Sequence, residues 1–336
     1  MAGCGSNRAG SVALAPGSPG PPASAPAGQV SATTTEAVDL RAALVPAEPQ
    51  RVRIHLAEHR ETTGEDLPKA VHELELHLTG LLTRDGAPKE NGDVVARLVF
   101  EHVRLSFGSP GEPGAMLTFD SALNKAGRGD ALADIMVHVA RAEVTLRIDA
   151  RGRLMELRGL DPLWRKAKLL LVPPALLTAQ WMFRDAGMAE VIAEALFPPM
   201  PGHPVKPRDT WQSTMPVNIP LMARLTSNLT GRLEEVRPEG QAVLTLVTSP
   251  GTIEPSPELL DGHPPGLQPV IESAEHSVGI SVHPQGVSFR QASERKLEML
   301  LSLTPPVTSA SRQMRVKQVR RLDVEREASA PARPAQ

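Results

Sequence analysis

Between residues 51 and 324 the chain returns repeatedly to a two-residue rhythm. Val52, Ile54 and Leu56 alternate with Arg51, Arg53 and His55, and Leu74, Leu76 and Leu78 alternate with Glu73, Glu75 and His77. Successive side chains of a β-strand point to opposite faces, so runs of this kind are strands with one buried side. Turn residues separate them: Asp85-Gly86, Asn91-Gly92 and the Gly/Pro-rich segment from Gly108 to Gly114. Val95, Val99, Val103, Leu105 and Phe107 mark a long strand, and Met116 to Phe119 is expected to pair back on it. Val144 to Ile148 and Leu154 to Leu157, joined by Ala150 to Arg153, read as a hairpin. Strands that follow one another across short turns form an antiparallel meander. Residues 131–139 fit a short helix and a strand equally well.

The rhythm changes at Asp161-Pro162, a cap residue followed by proline, which opens a helix. Leu163, Ala167, Leu170 and Leu171 lie at helical spacing, Pro173-Pro174 interrupts them, and Leu176 to Leu196 supplies a further apolar face. Pro198-Pro199 ends this region. Strands resume over 222–236, 241–247, 275–282, 286–302 and 314–324, with residues 250–269 as a proline-rich loop. The expected class is therefore α+β: an antiparallel sheet at 50–326 with a central helical segment at about 161–197 packed on one face.

Residues 1–49 are of a different kind, rich in Ala, Pro, Ser, Gly and Thr. Such a segment buries too little apolar surface to offset its ordering entropy and is expected to be a disordered tether. Residues 327–336 are expected to be a disordered tail. The single cysteine, Cys4, stands in Met1-Ala2-Gly3-Cys4-Gly5-Ser6. This resembles the cleavage end of a bacterial lipoprotein signal, which implies that Cys4 carries a lipid. The charged and apolar segments that precede such a cysteine are absent. A start upstream of Met1, a trimmed leader and a chance match all remain open.

Lys+Arg 36 against Asp+Glu 38 gives a net charge of -2 in 336 residues, and aromatic residues make up 3% with no tyrosine. A basic stripe and stacking platforms are both missing, so no nucleic-acid partner is expected. No P-loop, G-x-S-x-G or strand-bound G-x-G-x-x-G motif occurs. His55-Leu56-Ala57-Glu58-His59 matches H-x-x-E-H, a zinc-protease signature that needs both histidines on one helical face. The surrounding alternation is that of a strand, so a zinc-dependent hydrolase using His55, Glu58 and His59 is the alternative reading. His72 and His77, five residues apart in a strand, face opposite sides. No catalytic, cofactor or metal residue is expected.

Phe197, Pro198, Val205, Asp209 and Trp211 resemble the motifs of a bacterial envelope lipoprotein family of unknown function. In that family a helical segment ends in Phe-Pro and an Asp-x-Trp motif opens a meander of strands. The turns Ile148 to Arg153 and His283 to Gly286 resemble the turn of that family. Arg208 departs from the pattern, which more often has glycine there. The pattern is also similar to lipoprotein-carrier half-barrels, which implies a curved sheet capped by helices. Trp211 and Asp209 are expected to be structural, one plugging the core and one fixing a turn. The resemblance implies a non-enzymatic, lipid-anchored, extracytoplasmic protein of the cell envelope. Its expected partners are a membrane, held through Cys4, and an apolar ligand.

Overall fold

The computed structural model describes residues 36–41, 43–64, 67–110, 116–123, 136–163, 183–219, 223–255, 267–303 and 312–328. Cys4 lies outside them. Their strands, in chain order, are β1 (Gln50–Gly64), β2 (Leu67–Arg84), β3 (Val94–Gly108), β4 (Met116–Asp120), β5 (Glu143–Ile148), β6 (Leu154–Arg158), β7 (Thr210–Ile219), β8 (Ala223–Val236), β9 (Ala242–Pro255), β10 (Leu267–Val282), β11 (Ser288–Leu303) and β12 (Arg312–Ala328). Helix α1 (Asp185–Leu196) lies between β6 and β7 in the chain. All pairings are antiparallel, in the order β6-β5-β3-β2-β1-β12-β11-β10-β9-β8-β7, with β4 on β3. The protein is thus an α+β fold dominated by one open antiparallel sheet.

The path explains the order. The chain starts in the middle of the sheet, steps outward to β6, crosses by way of α1 to the opposite edge at β7, and steps back until β12 lies beside β1. Gln50 at the start of β1 pairs with Ala328 at the end of β12. The alternation buries one face: Val52, Ile54, Leu56, Leu76, Leu78, Leu322 and Val324 are all 2% exposed or less. Packed on this inner face are Met188, Val191, Ile192, Ala195 and Leu196 of α1, at helical spacing.

Several expectations need correction. The long strand expected through Phe107 is β3, but Val95 and Val99 do not share a face with Val103. A bulge between Thr79 and Gly80 pairs Thr79 with His102 but Gly80 with Phe100, which leaves Glu101 extra. Ala96, Leu98 and Phe100 therefore point inward before the bulge and Val103, Leu105 and Phe107 after it. Only glycine fits at 80, where a Cβ would come 2.7 Å from the Val99 carbonyl oxygen. The proline-rich segment 250–269 is not all loop, since β9 runs to Pro255 and β10 starts at Leu267. Pro250 and Gly251 sit at another bulge, between the pairs Asn228–Ser249 and Thr226–Thr252, where the missing proline N–H is not required. In the helical region, α1 covers Asp185–Leu196 and a helical turn covers 161–163; residues 164–182 lie outside those described. Residues 136–139 are helical.

The folded unit also begins before residue 50. Val38 bridges to Val205, and Leu40, Ala43 and Leu44 are fully buried. Arg326, itself fully buried and stacked 4.9 Å above Phe289, donates to the carbonyls of Ala43 and Leu44. A composition that looks like tether hides one short apolar cluster, and the guanidinium satisfies the carbonyls that this cluster carries into the core.

The motif residues hold this architecture. Asp209 accepts a hydrogen bond from Lys206 N at 2.8 Å, and Trp211 is 7% exposed with its Nε1 donating to the Pro199 carbonyl at 3.3 Å. The indole packs against Gly231, where a Cβ would meet the ring at 2.1 Å. Arg208 has φ 76°, in the left-handed region that favours glycine. The sequence departure at this position therefore carries backbone strain of about 1–2 kcal/mol. Asp149 Oδ1 accepts from Arg151 N and Arg153 N, both at 2.9 Å. The second turn is held by Gly286 N donating to the His283 carbonyl at 2.7 Å.

Candidate ligand-binding site

Four strands place a charged row across the mostly apolar inner face. The register sets Glu58 of β1 opposite Arg320 of β12, Arg320 opposite Arg295 of β11, and Arg295 opposite His276 of β10. Glu58 is 8% exposed, Arg320 6%, Arg295 4% and His276 5%. Two arginines directly opposite each other on a buried face repel. Helix α1 supplies the compensation. Glu194 Oε2 lies 3.0 Å from Arg320 Nη2 and its Oε1 lies 3.8 Å from Arg295 Nη1. Gln291 holds the helix here by donating Nε2 to the Glu194 carbonyl at 2.8 Å. Glu58 pairs with Arg60, 3.2 Å away.

These charges perturb one another. Burial alone would raise the Glu194 pKa, but Arg320, Arg295 and His276 outweigh it and hold the carboxyl below its usual range. Burial lowers the Arg295 pKa, with Glu194 opposing. Burial pushes His276 down to about 4; the Glu194 charge opposes this and the two guanidiniums add to it. His276 is therefore neutral at pH 7.

The ion pairs leave donors over. Nε and Nη2 of both Arg295 and Arg320 are shielded from solvent and make no hydrogen bond among the described residues; the Arg320 Nη2 contact to Glu194 is close but not aligned as one. Both guanidiniums line a cavity of about 390 Å³. Its apolar walls include Leu154 and Met155 of β6, Ala189 and Ala193 of α1, Phe197, and Met215 and Val217 of β7; Arg153, Glu156, Glu190, Glu194 and Thr214 line it as well. Strands β6 and β7 are the opposite edges of the sheet, so the sheet curls until both edges face one cavity with α1 between them. An apolar chamber with a few convergent polar groups is the usual form of a small-molecule site.

The sequence-level candidates fall elsewhere. In β1 the residues of His55-x-x-Glu58-His59 divide between faces: Glu58 points into the core, whereas His55 and His59 lie on the outer face beside β2 carboxylates. The zinc-protease arrangement needs a helix and is not formed. Arg295, Arg320 and Glu194 were not distinguishable in the sequence from surface charges. The available signal is parity, since Arg320 and Arg295 keep step with the apolar residues Leu322 and Leu297 of their strands.

No protein-family model and no curated protein matches the chain. Among solved structures, OpdQ of Pseudomonas aeruginosa is 8% identical over 83% of this chain and 98% of its own, with a TM-score of 0.17. OccK2 (OpdF) of the same organism is 8% identical over 84% and 98%, with a TM-score of 0.18. MucB in complex with MucA is 10% identical over 79% and 88%, with a TM-score of 0.13. At these scores the functional reading rests on the chain's own geometry.

Proposed function

We propose that this protein is a non-enzymatic, extracytoplasmic binding protein of the cell envelope that holds an amphiphile with an anionic head between α1 and the edges of its sheet. One observation carries the reading: Arg295 and Arg320, whose Nε and Nη2 make no hydrogen bond among the described residues, line a mostly apolar cavity that also holds Glu156, Glu190, Glu194 and Thr214. Buried donors without partners are costly, and a carboxylate or phosphate would satisfy them in fork geometry. Each methylene buried along Met155, Phe197 and Met215 would add about 0.8 kcal/mol. Attachment to a membrane through a lipid on Cys4 belongs to the same reading. The intact mass of the protein isolated from its own cells reads that part directly.

The test is a titration of the full chain with a long-chain fatty carboxylate and with its methyl ester. The carboxylate should bind about tenfold or more tightly than the ester, the size of one charged hydrogen bond. Replacing Glu194, Arg295 and Arg320 together by Met should erase the difference. Equal binding of acid and ester, or binding of neither, would overturn the proposal.

A further inference from the structure

The outer face carries a second constellation, unrelated to the cavity. Strands β1 and β2 pair so that His55 stands opposite His77. The two imidazoles stack with centroids 4.2 Å apart and planes 8° from parallel. Glu75, two residues along β2 and on the same face, reaches back to both. Its Oε1 lies 2.8 Å from His77 Nε2 and 3.4 Å from His55 Nε2. One ligand atom from each of the three lies within 4.8 Å of the others. His55 Nε2 is shielded from solvent and makes no hydrogen bond among the described residues. On the other side of the ring, Asp323 of β12 faces His55 across the pairing, with Oδ2 3.9 Å from Nδ1.

We infer that His55, His77 and Glu75 form a binding site for a late first-row divalent cation such as zinc on the outer face of the sheet. Two imidazole nitrogens and one carboxylate suit zinc, nickel or copper, whereas magnesium and calcium prefer sites made of oxygen. Tetrahedral zinc with bonds of about 2.1 Å holds its ligand atoms about 3.4 Å apart. The Glu75 oxygen already stands 2.8 and 3.4 Å from the two imidazole nitrogens, and the half-buried histidines and exposed Glu75 adjust through their side-chain torsions without moving the strands. Asp323 Oδ2, 3.9 Å from His55 Nδ1, stands where a small side-chain movement would let it accept from Nδ1–H, the orienting role common around metal-bound histidine. Three protein ligands leave a fourth position open.

The neighbouring histidine provides the control. His59 lies 3.4 Å from both Glu61 and Glu73, but it is the one imidazole of its group, and Glu61 is held by Lys69 at 2.8 Å. Its charge resembles that of the proposed site; its donor set does not.

The experiment is calorimetric titration of zinc chloride into the full chain, prepared without a polyhistidine tag and stripped with chelator. One zinc should bind per chain. His77→Ala should abolish saturable binding, and Asp323→Asn should weaken it about tenfold, the usual cost of losing an orienting partner. His59→Ala should leave it unchanged. These side chains lie on the solvent face, and circular dichroism of each variant checks that it folds. His77→Gln, which keeps the size of the side chain, should lose zinc as His77→Ala does. Absence of saturable binding, binding that survives His77→Ala and His77→Gln, or binding lost with His59→Ala would each overturn the inference.

Discussion

Arg320 and Arg321 are adjacent in sequence and face different media. Arg321 points outward, its side chain 67% exposed, and meets Glu294 at 2.8 Å. Arg320 points inward, its side chain 7% exposed, and meets Glu194 at 3.0 Å. The partner strand repeats the contrast, with Glu294 outside and Arg295 inside. The ion pairs are alike in distance and unlike in consequence. On the outer face, water already solvates both charges and the pair adds little. On the inner face each charge has lost its hydration, so the cluster tolerates no missing member. The strand period, rather than the residue type, decides which arginine is solvated and which is buried.

Removing Glu194 should have the largest effect. Glu194→Gln leaves two buried guanidiniums opposite each other with only the weaker countercharges of Glu58 and Glu190, and should cost about 3–5 kcal/mol in urea unfolding. The triple replacement by Met used in the ligand test should recover most of that stability, because an apolar cluster of similar volume has no charge to desolvate. A cost for Glu194→Gln no greater than that of an outer-face substitution would remove the distinction between the faces.

The next effect is a pH dependence that belongs to the inner face. His276 has its pKa lowered from 6.5 to about 4. Below pH 6.5 the unfolded chain therefore takes up a proton at His276 that the folded chain refuses. Stability should fall as pH drops through 6.5 to 4, by up to about 3 kcal/mol at 1.36 kcal/mol per unit. Below the ordinary carboxylate range Glu194 adds to the loss, since its lowered pKa stabilises the fold only while it remains ionised. In His276→Leu the part of the slope between pH 6.5 and 4 should disappear. If the slope is the same in that variant, His276 is not the group that titrates.

Most of the sheet was legible in the sequence because burial on one face writes itself as alternation. Val52 to Leu56, Leu74 to Leu78 and Val144 to Ile148 all lie where their rhythm puts them. What escaped detection were breaks in the rhythm: the bulge at Glu101, which moved Val95 and Val99 outward, and the bulge at Pro250-Gly251, which let β9 pass through a segment that reads as loop. The core contribution of Leu40 to Leu44 was masked by its Pro/Ala-rich surroundings, since its partner Arg326 lies about 280 residues away. The cavity was illegible for a related reason. Its polar floor depends on the register between β11 and β12 and on α1 lying over it, and neither is a local property of the chain.

The smallest predicted effect is the sharpest test of the contrast. Arg321→Ala removes a charge of the same type, one residue from Arg320, from a pair with the shorter distance of the two. Glu294 keeps Lys296 as a partner at 3.0 Å, and its carboxylate remains in water. The unfolding midpoint should therefore stay within the scatter of the measurement, and added salt should not change that result, because little interaction is there to screen. Distance alone would rank Arg321 above Arg320. A midpoint shift for Arg321→Ala approaching that of Glu194→Gln would mean that distance, and not desolvation, sets the strength of these pairs, and the argument that the inner arginines form a binding site would lose its physical basis.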